Sequence, residues 1–180
     1  MAHDLFISYS TQDKTTADAA CATLEAAGIR CWIAPRDLVP GAEWGEAIVA
    51  AIGHCRAMLL IFSASANDSP QIRREVERAV NKGIPVLPLR IEDIEPTRSL
   101  EYFIGTVHWL DALTPPLESH LRRLTETVRA LLQIAAVQPE AAVRASTPAA
   151  RAAPAQVPRA VPMWLAVAAA LLIGAAGAAA

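Results

Sequence analysis

The sequence predicts an α/β fold, a mainly parallel sheet flanked by helices, and three observations carry that prediction. Apolar runs of strand length stand at residues 5–8, 30–33 and 57–62. Segments with apolar residues at helical spacing separate them. All the recognisable periodicity lies before residue 132, which leaves room for one domain of ordinary size and a tail. Strands alternating with helices of about 10–15 residues build βαβ units, whose strands run parallel.

Leu5-Phe6-Ile7-Ser8 reads as a first buried strand, and because it follows Asp4 directly no signal peptide is expected. Residues 15–27 carry Ala17, Ala20, Cys21, Leu24 and Ala27 on one helical face, and Gly28 supplies a stop. Arg30-Cys31-Trp32-Ile33 is a second strand, and the loop 34–41 holds Pro35, Pro40 and Gly41. Residues 43–54 repeat apolar positions at 44, 47, 48, 51 and 52, as a helix does. Residues 57–62 form the third strand, and Ser69-Pro70 opens a third helix over 69–81. Residues 83–89 give a fourth strand whose prolines, Pro85 and Pro88, predict an edge or interrupted position. A polar loop follows, then a fifth strand at 106–109 and a closing helix over 114–132 with Pro116 in its first turn. The expected fold is flavodoxin-like, with a central parallel sheet of five strands.

Composition narrows the partners. A formal charge of −2 without basic clusters gives no footprint for nucleic acid. Cysteines 21, 31 and 55 lack CxxC spacing and read as reduced, buried apolar groups. Histidines 3, 54, 108 and 120 form no metal-ligand pattern. Residues 133–162 are rich in Ala, Pro and Arg, with prolines at 139, 148, 154, 158 and 162, and read as an extended linker. Residues 163–180 carry no charge and include Trp164, Leu165, Leu171, Leu172 and Ile173. As a helix they would span about 27 Å, close to a hydrocarbon core of about 30 Å. A single-pass C-terminal membrane anchor is expected. Arg144, Arg151 and Arg159, opposed only by Glu140, place the N-terminal domain on the cytoplasmic side.

Missing motifs remove several α/β functions. No G-x-G-x-x-G follows the first strand, no G-x-x-x-x-G-K-[ST] occurs anywhere, and no G-x-S-x-G elbow exists. Ser63 stands where a phosphate-receiving Asp would end the third strand, and Ser8-Tyr9-Ser10 replaces the acidic pair that would hold its magnesium. Glu75 remains, on the helix after the third strand, near the strand ends where open α/β sheets bind ligands. On a helical wheel it lies at the margin of the stripe Ile72, Val76, Ala79 and Val80. A half-buried functional carboxylate and an ordinary solvated glutamate both fit that margin.

Four segments carry a resemblance. They are Asp4-Leu5-Phe6-Ile7-Ser8-Tyr9-Ser10, Gly28-Ile29-Arg30-Cys31-Trp32-Ile33, Ala34-Pro35-Arg36-Asp37-Leu38-Val39-Pro40-Gly41 and the helix with Arg74-Glu75-Val76. In this order and spacing they resemble the Toll/interleukin-1 receptor (TIR) domain, most closely its bacterial branch, over residues 4 to about 132. With the compositional reading of the tail, the expected domains are 1–132 (TIR domain), 133–162 (linker) and 163–180 (anchor). It implies either of two functions. Some TIR domains are non-catalytic modules that pair with other TIR domains, here as a membrane-tethered adaptor in signal transduction. Others cleave the nicotinamide–ribose bond of NAD+ in signalling or defence, with a glutamate at the position of Glu75. NAD+ is then substrate, no cofactor is needed, and self-association with other TIR domains activates the site.

Breaking that bond builds positive charge on the ribose while nicotinamide leaves neutral, so one carboxylate suffices in principle. The resemblance adds Ser8, Tyr9, Ser10, Trp32, Arg36, Gln71 and Arg74 as NAD-binding positions. Trp32 also suits an ordinary core, Arg36 with Asp37 an exposed ion pair, and Arg74 a solvated face. Ser10 stands where the family often has a basic residue, and Gln71 where NAD-cleaving relatives often have tryptophan.

Overall fold

The computed structural model describes residues 3–38 and 43–145, with side chains through residue 133. Five strands, β1 (Leu5–Ser8), β2 (Cys31–Ile33), β3 (Ala57–Phe62), β4 (Val86–Arg90) and β5 (Leu110–Asp111), form one parallel sheet in the order β2-β1-β3-β4-β5. Among the described residues six α-helices connect or cover them: α1 (Lys14–Ala26), α2 (Trp44–His54), α3 (Ala64–Asn67), α4 (Pro70–Asn81), α5 (Arg98–Ile104) and α6 (Leu117–Ala145). The flavodoxin-like architecture expected from the strand–helix alternation is present.

Side chains alternate across the strands, so each strand feeds two cores. Leu5, Ile7, Cys31, Ile33, Leu59 and Ile61 pack against α1 and α6. Phe6, Trp32, Met58, Leu60 and Phe62 pack against α2, α4 and α5. Burial on both faces is the reason these strands read as unbroken apolar runs. The period of two also turns Ser8, two residues after Phe6, toward the α4 side. The chain enters at β1, moves to β2 on one flank and then to β3 on the other. That reversal opens a crevice outside the strand ends.

Helix boundaries follow local chemistry. The Ser69 hydroxyl accepts from the Ile72 amide and Pro70 occupies the first turn, which starts α4 as the sequence indicates. Gly28 (φ 84°) ends the α1 connection and Gly83 (φ 70°) ends that of α4, both in the left-handed region open to glycine.

Four expectations are corrected. β4 is not an edge strand; it lies between β3 and β5 despite Pro88. The Ile91 amide donates to Phe62 on β3. Alternate residues of a parallel strand face opposite neighbours, so position 88 faces β5, where pairing begins only at Leu89. Pro88 therefore costs no ladder bond to β3, and Pro85, just before the strand, still accepts from the Met58 amide through its carbonyl. The fifth strand is at Leu110–Asp111 rather than 106–109; Trp109 instead turns inward, edge-on to Phe62, and donates from Nε1 to the Ile104 carbonyl.

The expected polar loop before it contains α5, whose Leu100 and Ile104 are buried one turn apart. The last helix starts at Leu117 and continues past residue 132 to Ala145, through Pro139. The expected linker therefore begins as helix over 133–145, and its remainder lies outside the described residues. Among the described residues no helix is long and apolar enough to cross a membrane. The expected anchor at 163–180 lies outside them.

Candidate active site

Glu75 is on the buried face of α4 with Ile72, Val76 and Ala79. Only 8% of it is exposed, well beyond the marginal burial that the helical wheel suggests. Ala79, one turn on, takes little room, and Ser8 from β1 reaches across to it. The Ser8 hydroxyl donates to Glu75 Oε2 at 2.7 Å, and Gln71 Nε2 donates to Oε1 at 3.0 Å. Both donors are neutral. Burial pushes the carboxyl above the ordinary glutamate value, while the bonds from Ser8 and Gln71 pull it back toward the ionised form.

This carboxyl opens into a cavity of about 370 Å³ at the strand ends. Tyr9, Ser10, Trp32 and Gln71 also line it, so the structure gathers these sequence-predicted positions around Glu75. Trp32 lies flat on Phe6, with ring centroids 4.8 Å apart, and serves core and cavity together. The Tyr9 hydroxyl donates to the Ala34 carbonyl, tying the end of β1 to the loop after β2. Ala34 and Pro35 of that loop form part of the wall.

Arg74 and Arg36 stand elsewhere. Arg74 borders an adjoining groove of about 270 Å³ between α2 and α4, lined also by Trp44, Val49 and Arg78. Arg36 does not line the Glu75 cavity. Its guanidinium grips Glu25 of α1 through two bonds of 2.9 and 3.0 Å, and also meets Asp37 and the Cys31 carbonyl. It ties α1 to β2 and is more than a surface ion pair.

Three residues emerge that sequence reasoning missed. Lys14, the first residue of α1, lines the cavity beyond Ser10 and Thr11, with its ammonium on Asp18. Its signal was a basic residue four positions after Ser10, at a helix start. Asp13 and Ser63 form a second buried pair, the serine hydroxyl donating to the carboxylate at 2.6 Å. Their separation of 50 positions leaves no trace in local pattern. Among the described residues no cluster of metal-ligating side chains occurs.

A family model for the TIR domain matches residues 5–125, about two thirds of the chain. The chain belongs to the TIR domain family. Among solved structures, this TIR domain is similar to that of the Toll-related receptor TRR-2 from Hydra magnipapillata. Identity is 21%, coverage 71% of this chain and 98% of that one, and the TM-score 0.61. The TIR domains of the activated Roq1 resistosome, which directly recognises the pathogen effector XopQ, match at 14% identity and TM-score 0.62, over 71% of this chain and 99% of theirs. A metazoan TIR-STING receptor from C. gigas matches at 20% identity and TM-score 0.52, over 71% of this chain and 39% of its own. At these identities the likeness is one of fold. No curated protein matches the chain.

Proposed function

We propose that this TIR domain cleaves the nicotinamide–ribose bond of NAD+ and that Glu75 is its catalytic residue. One observation carries the reading. A single buried carboxylate, oriented by two neutral hydrogen-bond donors, faces a cavity of ligand size at the strand ends of a TIR fold. As the bond to nicotinamide lengthens, positive charge grows on the ribose carbon and its ring oxygen. The Glu75 carboxylate stabilises that charge, and it accepts from the ribose hydroxyls in the ground state. Weak solvation makes the attraction larger than in water. Nicotinamide departs neutral, so no general acid is required. Water then adds to the ribose carbon and yields ADP-ribose; capture by the adenine of the same molecule uses the same site and yields a cyclic product.

The other residues take supporting roles in this reading. Ser8 and Gln71 hold both carboxylate oxygens. Tyr9 and Ser10 face the nucleotide, and Lys14 supplies the positive charge for its phosphates. The exposed ring of Trp44, at the cavity's outer rim, offers the stacking surface that Gln71 does not. Arg36 acts indirectly, by fixing the loop that walls the cavity. Self-association is part of the proposal, and so is anchoring of the domain to the cytoplasmic side of a membrane by residues 163–180, which rests on their uncharged composition.

Nicotinamide release by the full chain, free and in a clustered state, tests the reading. Glu75→Gln is expected to lower it by about 10²–10³-fold. Release that survives this substitution overturns the mechanism. The adaptor reading gains support from Trp44, 54% exposed, beside exposed Val49 on α2. It predicts concentration-dependent assembly with no NAD+ consumed in either state.

A further inference from the structure

Two unlike patches lie on the side of the sheet covered by α2, α4 and α5. The first is the groove of about 270 Å³ between α2 and α4. Its walls are apolar, with Ile48 and Ile52 buried and Trp44 and Val49 exposed. Arg74 and Arg78, one helical turn apart on α4, line it and are both exposed. Glu75 is the one carboxyl on its wall, and that group is buried and held by Ser8 and Gln71. The groove is an apolar slot with two guanidiniums and no accessible acid.

The second patch is a projection with the opposite charge. Tyr102 on α5 is 85% exposed. Its ring meets Phe103 edge-on, with centroids 5.1 Å apart, and Phe103 packs against the core, so the exposed ring stands on a fixed base. Docking buries about 150–250 Å² of such a ring. Between residues 90 and 111, five carboxylates (Glu92, Asp93, Glu95, Glu101 and Asp111) outnumber two guanidiniums, and Arg90 is already engaged by Asp93 and Asp111. Glu95 and Glu101 line one polar pocket beside Tyr102 and share no residue with the groove. Among the described residues Arg74, Arg78, Glu95 and Glu101 form no ion pair.

We propose that the α2–α4 groove is the docking site for Tyr102 of a second copy of this chain, with Glu95 and Glu101 of that copy set against Arg74 and Arg78. The inference rests on the self-association proposed above and names its surfaces. Charge complementarity selects the occupant: the slot asks for an apolar group flanked by acids, and this chain presents one. An aromatic anchor in a desolvated slot supplies most of the strength of such a contact, while the exposed charges at its rim set partner and register. The two patches differ, so the contact is heterologous. A copy that docks its Tyr102 still offers its own groove, and assembly continues beyond a pair. The groove also shares Trp44, Ile48, Gln71 and Glu75 with the Glu75 cavity. A neighbour seated there shields one side of that cavity from water, which ties assembly to the site.

The experiment follows the full chain in detergent by analytical ultracentrifugation over a range of concentrations. The native chain is expected to form species larger than dimers. Tyr102→Ala should weaken association by about tenfold or more. Two charge-reversed variants, Arg74→Glu with Arg78→Glu and Glu95→Lys with Glu101→Lys, should each weaken it by about tenfold. An equimolar mixture of those two variants is expected to regain association, because the native groove of one meets the native α5 face of the other. The chain carrying all four substitutions should regain it alone, which also shows that the reversed sets fold.

Assembly of the native chain that neither reversed set alters overturns the interface and leaves self-association standing. Loss in both sets without recovery in the mixture or in the fourfold variant overturns the pairing as well. A native chain that stays monomeric at every concentration overturns the interface and self-association together. All of these readouts are masses in solution, so they stand whether or not NAD+ is cleaved.

Discussion

Glu75 and Asp13 are both buried carboxyls at the same end of the sheet, and each accepts a hydrogen bond from the serine that closes a central strand. Ser8 serves Glu75 and Ser63, just after β3, serves Asp13. Burial raises both above their ordinary values. They differ in what lies beyond. Glu75 opens into the cavity, whereas Asp13 faces Ser63, the Ser10 backbone and the charge of Glu92. A raised carboxyl is therefore no mark of catalysis by itself; the space beside it separates the proposed reacting group from the brace.

Substitutions can break that contrast. The largest effect is expected for Glu75→Gln, a loss of about 10²–10³-fold in nicotinamide release with the fold retained. Asp13→Ala should reverse the pattern. It leaves the Ser63 hydroxyl without its acceptor and is expected to cost about 1–3 kcal/mol of stability, read by denaturant unfolding. An Asp13→Ala protein as stable as the native chain would show that the brace carries nothing.

Ser8→Ala sharpens the same comparison through pH. In the proposed mechanism the ionised Glu75 is the working form, so activity should rise with pH through a midpoint above the ordinary glutamate value. Ser8 donates to the charged form, and its loss should move the midpoint higher; a midpoint that stays put removes Ser8 from the site. Stability runs the other way. A carboxyl raised on folding contributes stability that is full below its unfolded value and lost as pH rises through the folded one. Glu75→Gln lacks that loss, and its melting temperature at neutral pH is expected to exceed the native one by about 2–5 °C. The smallest effect is expected for Lys14→Ala, about a three- to tenfold rise in KM for NAD+ with little change in kcat.

The first three strands and the place of Glu75 were legible because both are local. Residues 57–62 are apolar throughout since both sheet faces are covered, and Ser69-Pro70 sets the phase of α4 and with it the side on which residue 75 falls. The depth of Glu75 was not legible, because Ser8 lies 67 positions away and only the tertiary fold brings it in. The seven residues of α5 are too few for a periodic signal, and its helix depends on packing at Leu100 and Ile104. Pro88 misled for a related reason. Sequence shows that an amide is missing and only the ladder shows which neighbour it would have faced. Arg36 read as a surface charge because its partner Glu25 sits on a different element.

The outer strands of this sheet are short, three residues in β2 and two in β5, and Pro88 presents no amide on the β5 side. A sheet with such margins offers an incoming chain almost no backbone template. In the proposed self-association, sheet extension is therefore disfavoured, and copies are expected to meet through side chains on helices and loops. Contacts of that kind are set residue by residue, a property suited to the proposed assembly being a signal and not a deposit.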